Sequence, residues 1–122
     1  MKYLVSASLI LAGIIHLLPL PGLLGAAKLT ALYGLDLSEP NLSILMRHRA
    51  VLFGLLGSFL VYAAFKPSLQ PLAFVAAFVS VVSFLLLAWS SGGYNTQVGR
   101  VVTADLVALA VLVIGAAVRA RL

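Results

Sequence analysis

The sequence predicts an all-α integral membrane protein: a single bundle of four transmembrane helices, with a short interfacial helix between spans 1 and 2. Of the 122 residues, 63% are hydrophobic and 9% are charged, whereas roughly a quarter of the residues in soluble domains are charged. The apolar residues form long runs separated by short segments rich in Pro, Gly and Ser. These runs lack the alternation of barrel strands, and a chain in lipid must satisfy its backbone polar groups internally, so helices are favoured.

The first predicted span covers residues 3–18 and ends before Pro19 and Pro21. Lys2, the apolar run and the small residues that follow are also compatible with a cleaved signal peptide. His16 and the two prolines interrupt the end of such a hydrophobic region. A retained first helix is therefore favoured.

Residues 23–37 are predicted to lie at the membrane surface. They carry Lys28, Thr30, Tyr33 and Asp36 among apolar residues. The segment is too short and too polar to cross a bilayer, and it has the character of an interfacial helix.

The second predicted span covers residues 41–65 and follows a helix-start signal. Ser38 is a capping residue, Glu39 suits the positive end of a helix, and Pro40 suits its first turn. The span ends at a tight turn containing Pro67.

The third and fourth predicted spans cover residues 72–90 and 97–118. Pro71 marks the start of the third span, because proline is tolerated in a first helical turn but not in a helix interior. Gly92 and Gly93 belong to the turn that separates the two spans. Such short connections predict antiparallel neighbours in one domain of 122 residues.

The distribution of basic residues predicts the orientation. An even number of spans puts both termini on one side of the membrane. That side carries four basic residues: Lys2, Lys66, Arg119 and Arg121. By the positive-inside rule it is cytoplasmic. Three basic residues near the opposite helix ends weaken the asymmetry: Arg47, Arg49 and Arg100.

Small residues form stripes on two spans and predict close helix packing. The stripe on the third span contains Ala73, Ala76, Ala77, Ser80 and Ser83, and the stripe on the second contains Ala50, Gly54, Gly57 and Ser58. Packing within one bundle is favoured over a homo-oligomer interface or a lipid groove.

Most polar side chains of the spans gather in the outer half of the bundle, where they predict a ligand-binding pocket. The candidate residues are His16, Arg47, His48, Arg49, Tyr94, Asn95, Arg100 and Asp105. Arg49 and Asp105 lie equally deep in spans that enter from the same side, so a buried ion pair between them is predicted. Such a pair is also open to a purely structural interpretation. The inner half of the bundle is nearly featureless.

The predicted pocket is net positive, so a lipid headgroup, a quinone or a small anionic metabolite suits it better than a cation. Axial ligation of haem by His16 and His48 is a further alternative. Cysteine is absent and no zinc, nucleotide or nucleophile motif is present, which favours a binding protein over an enzyme. The scattered basic residues form no cluster of the kind that binds nucleic acid.

Four stretches carry a family resemblance: GIIHLLP at residues 13–19, EPN at 39–41, MRHRAVLFG at 46–54 and GGYN at 92–95. In these stretches the chain resembles small proteobacterial four-span membrane proteins that are loosely DoxX-like. The resemblance implies a bacterial inner (plasma) membrane location and a loose association with redox or quinone-linked chemistry. Similar sequences are sometimes labelled phosphopantetheine adenylyltransferase, but the phosphate-binding T/HxGH motif of that soluble enzyme is absent.

Together these observations favour a small membrane protein that binds a lipid, a quinone or a small anionic ligand. One alternative is a small proton-coupled transporter in which Asp105 or His16 carries the proton. The other is a structural or assembly subunit that holds a partner in a membrane complex through its small-residue stripes.

Overall fold

The structure is a computed structural model that describes residues 2–18 and 40–121. Its α-helices are α1 (Lys2–Leu17), α2 (Pro40–Ala64), α3 (Gln70–Ser90) and α4 (Thr96–Ala120), with a short 3-10 helix at Pro67–Leu69. The described residues contain no β-strand, which confirms the all-α prediction. The predicted interfacial helix at residues 23–37 lies outside the described residues.

Within the described ranges, three helical segments are long and apolar enough to cross a membrane: α2, α4, and the segment Pro67–Ser90 that includes α3. Helix α1 is also apolar but has only 16 residues, which corresponds to about 24 Å at 1.5 Å per residue. This is less than the roughly 30 Å of a typical hydrocarbon core. Length and composition therefore mark three helices as candidate spans.

Local chemistry explains where the helices end. Pro67 has no N–H and cannot continue α2, whose last turn is closed by a 3.0 Å bond from the Lys66 N–H to the Ala63 carbonyl oxygen. Between α3 and α4, Gly92 adopts φ +82°, a conformation that glycine adopts readily. Asn95 then caps α4, because its Oδ1 accepts a 2.8 Å hydrogen bond from the Val98 N–H.

The four helices pack as a ring in the order α1, α2, α3, α4, with α1 lying mainly against α2 and α4. Neighbours in the ring are antiparallel. One end of the bundle therefore holds the start of α1, the end of α2, the start of α3 and the end of α4, and it is called the termini end below. The opposite end is called the His16 end.

An apolar core runs through the bundle. Its largest fully buried side chains are Val5, Leu9, Leu60, Val81 and Leu112, which come from all four helices. The outward faces are also apolar. Leu55, Val79 and Ile114, for example, are all more than half exposed.

Helices α1 and α2 are in close contact at a pair of glycines, Gly13 and Gly57. A Cβ atom added to Gly57 would lie 2.7 Å from the Gly13 carbonyl oxygen, and one added to Gly13 would lie 2.8 Å from the Gly57 oxygen. The two backbones are thus in direct contact, as small residues permit at membrane helix interfaces. Other members of the predicted stripes are buried within this one bundle, namely Ala50, Ala73 and Ala77, whereas Ser58 and Ser83 are exposed.

Candidate functional site

His16 lies in the last turn of α1 and is only 3% exposed. Its Nδ1 lies 2.7 Å from the Ala12 carbonyl oxygen and its Nε2 lies 2.9 Å from the Ser80 hydroxyl oxygen. Because a carbonyl oxygen only accepts, Nδ1 donates to Ala12, and in a neutral ring Nε2 accepts from Ser80. Both ring nitrogens are engaged, so axial ligation of a haem iron would break one of these bonds.

The bond between His16 and Ser80 joins two helices that are diagonal in the ring, α1 and α3. Few backbone contacts connect this pair of helices. Within an apolar bundle, a hydrogen bond of this kind fixes the rotation of each helix about its own axis. The primary role that the geometry gives His16 is therefore to hold the bundle together.

Phe53 contacts both His16 of α1 and Arg49 of α2. Its ring centroid lies 5.6 Å from that of His16, and the Arg49 guanidinium carbon lies 4.4 Å from the same Phe53 centroid. The second distance is typical of a cation–π contact. Arg49 and Phe53 are four residues apart and share one face of α2. Sequence reasoning missed Phe53, although the i,i+4 spacing from an arginine was visible.

Arg49 and Asp105 lie at matching depth. Each is nine residues after the first residue of its helix, or about 13 Å along the axis, and both helices begin at the His16 end. Both side chains are half-buried, and the charge of Arg49 acts on the Asp105 carboxyl group. The structure thus brings the two charges within electrostatic reach, and a direct ion pair between them stays a prediction.

Four other predicted site residues are exposed at the His16 end instead of being buried with His16. They are Arg47, His48, Tyr94 and Arg100. Asn95 is half-buried, and its side-chain oxygen caps the α4 helix. The capping bond gives Asn95 a structural role that the sequence interpretation did not include.

The termini end contains a polar network that sequence reasoning missed. Gln70 is only 6% exposed. Its Oε1 accepts a 3.1 Å hydrogen bond from Arg119 Nε, while Arg119 Nη2 donates to the Pro67 carbonyl oxygen at 3.0 Å. The Ala64 carbonyl oxygen accepts from Ser6 Oγ at 2.7 Å and from Gln70 Nε2 at 3.4 Å.

A cavity of about 580 Å³ opens beside this network. Its lining residues come from all four helices and the α2–α3 connection: Lys2, Tyr3, Ser6, Ala64, Phe65, Pro67, Gln70 and Arg119. The termini end corresponds to the inner half of the predicted bundle. The prediction that this half is nearly featureless, with few polar groups to explain, is therefore wrong. The fold brings together Ser6, Gln70 and Arg119 from distant parts of the chain. In the sequence each is a single polar residue near a helix end, which does not by itself predict a site.

Comparisons with protein-family models, with curated proteins and with solved structures find no match to this chain. The DoxX-like resemblance stays a prediction.

Proposed function

We propose that the chain is an integral membrane protein of four spans that binds a small anionic or carbonyl-bearing ligand, such as a lipid headgroup or a quinone, at its His16 end. Membrane insertion is supported by three helical segments of sufficient length and hydropathy. It is also supported by apolar outward faces, which in water would form an exposed patch far larger than soluble monomers tolerate.

We propose α1 as the fourth span. It lies along α2 and α4 and contributes Val5 and Leu9 to the core. Its length falls short of the hydrocarbon core by about 6 Å, and local bilayer thinning or snorkelling of Lys2 compensates for such a difference. Four spans put both termini on the side of Lys66 and Arg119, which the positive-inside rule makes cytoplasmic in a bacterial inner membrane.

The topology is testable with reporter fusions. A fluorescent protein that folds only in the cytoplasm should be active when fused to the C-terminus. A cysteine introduced at Ser68, in the α2–α3 connection, should react with a membrane-impermeant thiol reagent only in inverted vesicles. A cysteine at Gly93, in the α3–α4 turn, should react in intact cells, and labelling on the opposite sides would refute the orientation.

One observation carries the proposed binding site: Arg49 is held half-buried against the Phe53 ring and acts on Asp105 from within the bundle. A guanidinium group fixed in this way is preorganised to donate hydrogen bonds to a carbonyl or an anionic oxygen. The described residues of this end include three arginines and His48 but a single acid, Asp105. The resulting positive charge favours an anionic or carbonyl-bearing ligand over a cation.

The test is the content of ligand that survives purification. Mass spectrometry and an absorption spectrum of the purified protein should detect a lipid or quinone, and Arg49→Gln should remove it. Asp105→Asn should also reduce it, because the variant removes the carboxylate on which the Arg49 charge acts. The matched control Arg121→Gln removes one charge at the termini end and should retain the ligand. If the two site variants only lower the melting temperature and keep the wild-type ligand content, the pair is structural.

A proton-coupled transporter is the second candidate, because Asp105 is a half-buried acid within a candidate span. Intramembrane carboxyl groups of this kind carry protons in many pumps and transporters. Proton-driven solute flux into liposomes should then be lost in Asp105→Asn and kept in Arg121→Gln. Absence of flux with the wild-type protein for every solute tried would count against transport.

A further inference from the structure

The cavity at the termini end has the chemistry of a binding site for an anionic lipid headgroup. Its volume of about 580 Å³ lies within the range of roughly 300–1,000 Å³ that small-molecule sites occupy. Tyr3, Ala64 and Phe65 line it with apolar surface, whereas Lys2 and Arg119 contribute positive charge. A site with apolar walls and cationic groups matches a ligand that has both an acyl chain and an anionic head.

Among the described residues, none of those that line the cavity is acidic. Asp105, the acid on the same helix as Arg119, is fourteen residues earlier in α4, or about 21 Å away. An arginine partly withdrawn from water favours an anionic partner, because burial without one is unfavourable. The described residues that line this cavity supply no such partner for Arg119, so its charge is available to an anionic ligand that enters the cavity.

Two hydrogen bonds within the bundle position Arg119 beside the cavity. Nε donates to Gln70 and Nη2 donates to the Pro67 carbonyl, and Gln70 is itself held by its bond to the Ala64 carbonyl. A guanidinium has five N–H groups, so these two bonds leave others available to a ligand. A preorganised donor of this kind loses little conformational entropy when it binds an anion.

The helix ends around the cavity also determine its depth in the membrane. Lys2 begins α1, Ala64 ends α2, Gln70 begins α3, and Arg119 is the penultimate residue of α4. In a bundle that spans a bilayer, helix ends lie at the headgroup level. The acyl chain of a lipid can then follow the apolar outer surface while its phosphate meets the two cations.

We propose that this cavity binds one anionic phospholipid of the surrounding leaflet, with its phosphate held between Lys2 and Arg119. The inference rests on the membrane insertion proposed above and concerns the end of the bundle opposite the Arg49 region. It assigns to the termini end a ligand of defined chemistry.

Native mass spectrometry of the full chain in mild detergent tests the inference with phosphatidylglycerol and phosphatidylcholine as probes. Wild-type protein should retain phosphatidylglycerol in preference to phosphatidylcholine. Arg119→Gln should weaken phosphatidylglycerol binding roughly fivefold to tenfold, in line with the usual contribution of one cation to anionic lipid binding. Arg119→Lys should fall between the wild type and Arg119→Gln, since it keeps the charge and loses the guanidinium geometry.

Three further charge variants separate a loss of lipid binding from a folding defect, because each changes an exposed side chain. Lys2→Gln changes an exposed side chain with no hydrogen bond to the network and should weaken binding roughly fivefold. Lys66→Gln and Arg121→Gln remove equal charges from exposed residues of the same end that do not line the cavity. Each of these two controls should change the affinity less than twofold.

Three results would overturn the inference. Equal losses in all the charge variants would show general attraction to the surface, and wild-type affinity in both Arg119→Gln and Lys2→Gln would show that the cavity does not bind the lipid. Thermal protection by inorganic phosphate as strong as that by phosphatidylglycerol would assign the site to a free anion. Flotation with liposomes reports membrane insertion separately, so a protein that floats but fails these tests refutes only the lipid site.

Discussion

The backbone contact between α1 and α2 predicts a measurable loss of stability when a methyl group is added to it. In Gly57→Ala, the new Cβ atom would lie 2.7 Å from the Gly13 carbonyl oxygen and 2.8 Å from Leu17 Cγ. Ordinary van der Waals contact begins at about 3.4 Å, so the overlap with the oxygen is roughly 0.7 Å. Because that oxygen belongs to a helix backbone, a side-chain rotation cannot relieve it and α1 must move away from α2.

Overpacking of this kind costs typically 1–3 kcal/mol. The helix preference of alanine over glycine returns roughly 0.5–1 kcal/mol, so we expect Gly57→Ala to lower the free energy of unfolding by about 1 kcal/mol, within limits of about 0–2.5 kcal/mol. Gly99→Ala is the matched control, because its nearest atom would be Tyr94 Cε1 at 3.8 Å. The same substitution there introduces no overlap and should be neutral or slightly stabilising.

The measurement is unfolding in mixed micelles, followed by circular dichroism as sodium dodecyl sulfate replaces a mild detergent. The difference between the two alanine variants isolates the helix contact, since the helix preference largely cancels. Equal stability of Gly57→Ala and Gly99→Ala would refute the close approach of α1 and α2. Gly13→Ala provides a second test, because its Cβ would lie 2.7 Å from Val61 Cγ2.

The other stability predictions concern single hydrogen bonds and use the same unfolding assay. Asn95→Ala removes the cap of α4 and should lower the free energy of unfolding by about 1 kcal/mol, whereas Asn95→Ser should keep most of it; an Asn95→Ala protein as stable as the wild type would argue against the cap. Ser80→Ala removes the Nε2 partner of His16 and should cost about 0.6 kcal/mol, the average for hydrogen bonds between membrane helices, and at most about 1.7 kcal/mol. Ser83→Ala is its control, because Ser83 is exposed and bonds only within its own helix; equal effects of the two serine variants would contradict the bridge between α1 and α3.

The helix boundaries follow from chemistry that is local in the sequence. Helix α2 ends before Pro67 and α3 begins at Gln70 with Pro71 in its first turn. In the α3–α4 turn, Gly92 adopts a positive φ after α3, and Asn95 caps the start of α4. Such signals act over a few residues. For this reason, the first and last residues of each helix lie within two residues of the ends of the corresponding predicted span.

The candidate site was only partly predictable. The matching depth of Arg49 and Asp105 followed from counting residues along two spans, since the rise per residue is constant. Which neighbours a polar residue meets depends instead on the rotation of each helix. His16 and Ser80 are 64 residues apart, and no local pattern connects them.

The sequence by itself determined the helical class, the candidate membrane spans and the helix ends, because these depend on composition and on short-range backbone chemistry. The tertiary structure alone decided which faces meet: Gly13 against Gly57, His16 against Ser80 and Gln70 against Arg119. In a water-soluble bundle, the apolar stripe of each helix would have indicated its inward face. In this chain the inward and outward faces are both apolar, so hydrophobic periodicity carries little information about rotation, and close packing and interhelical hydrogen bonds set it.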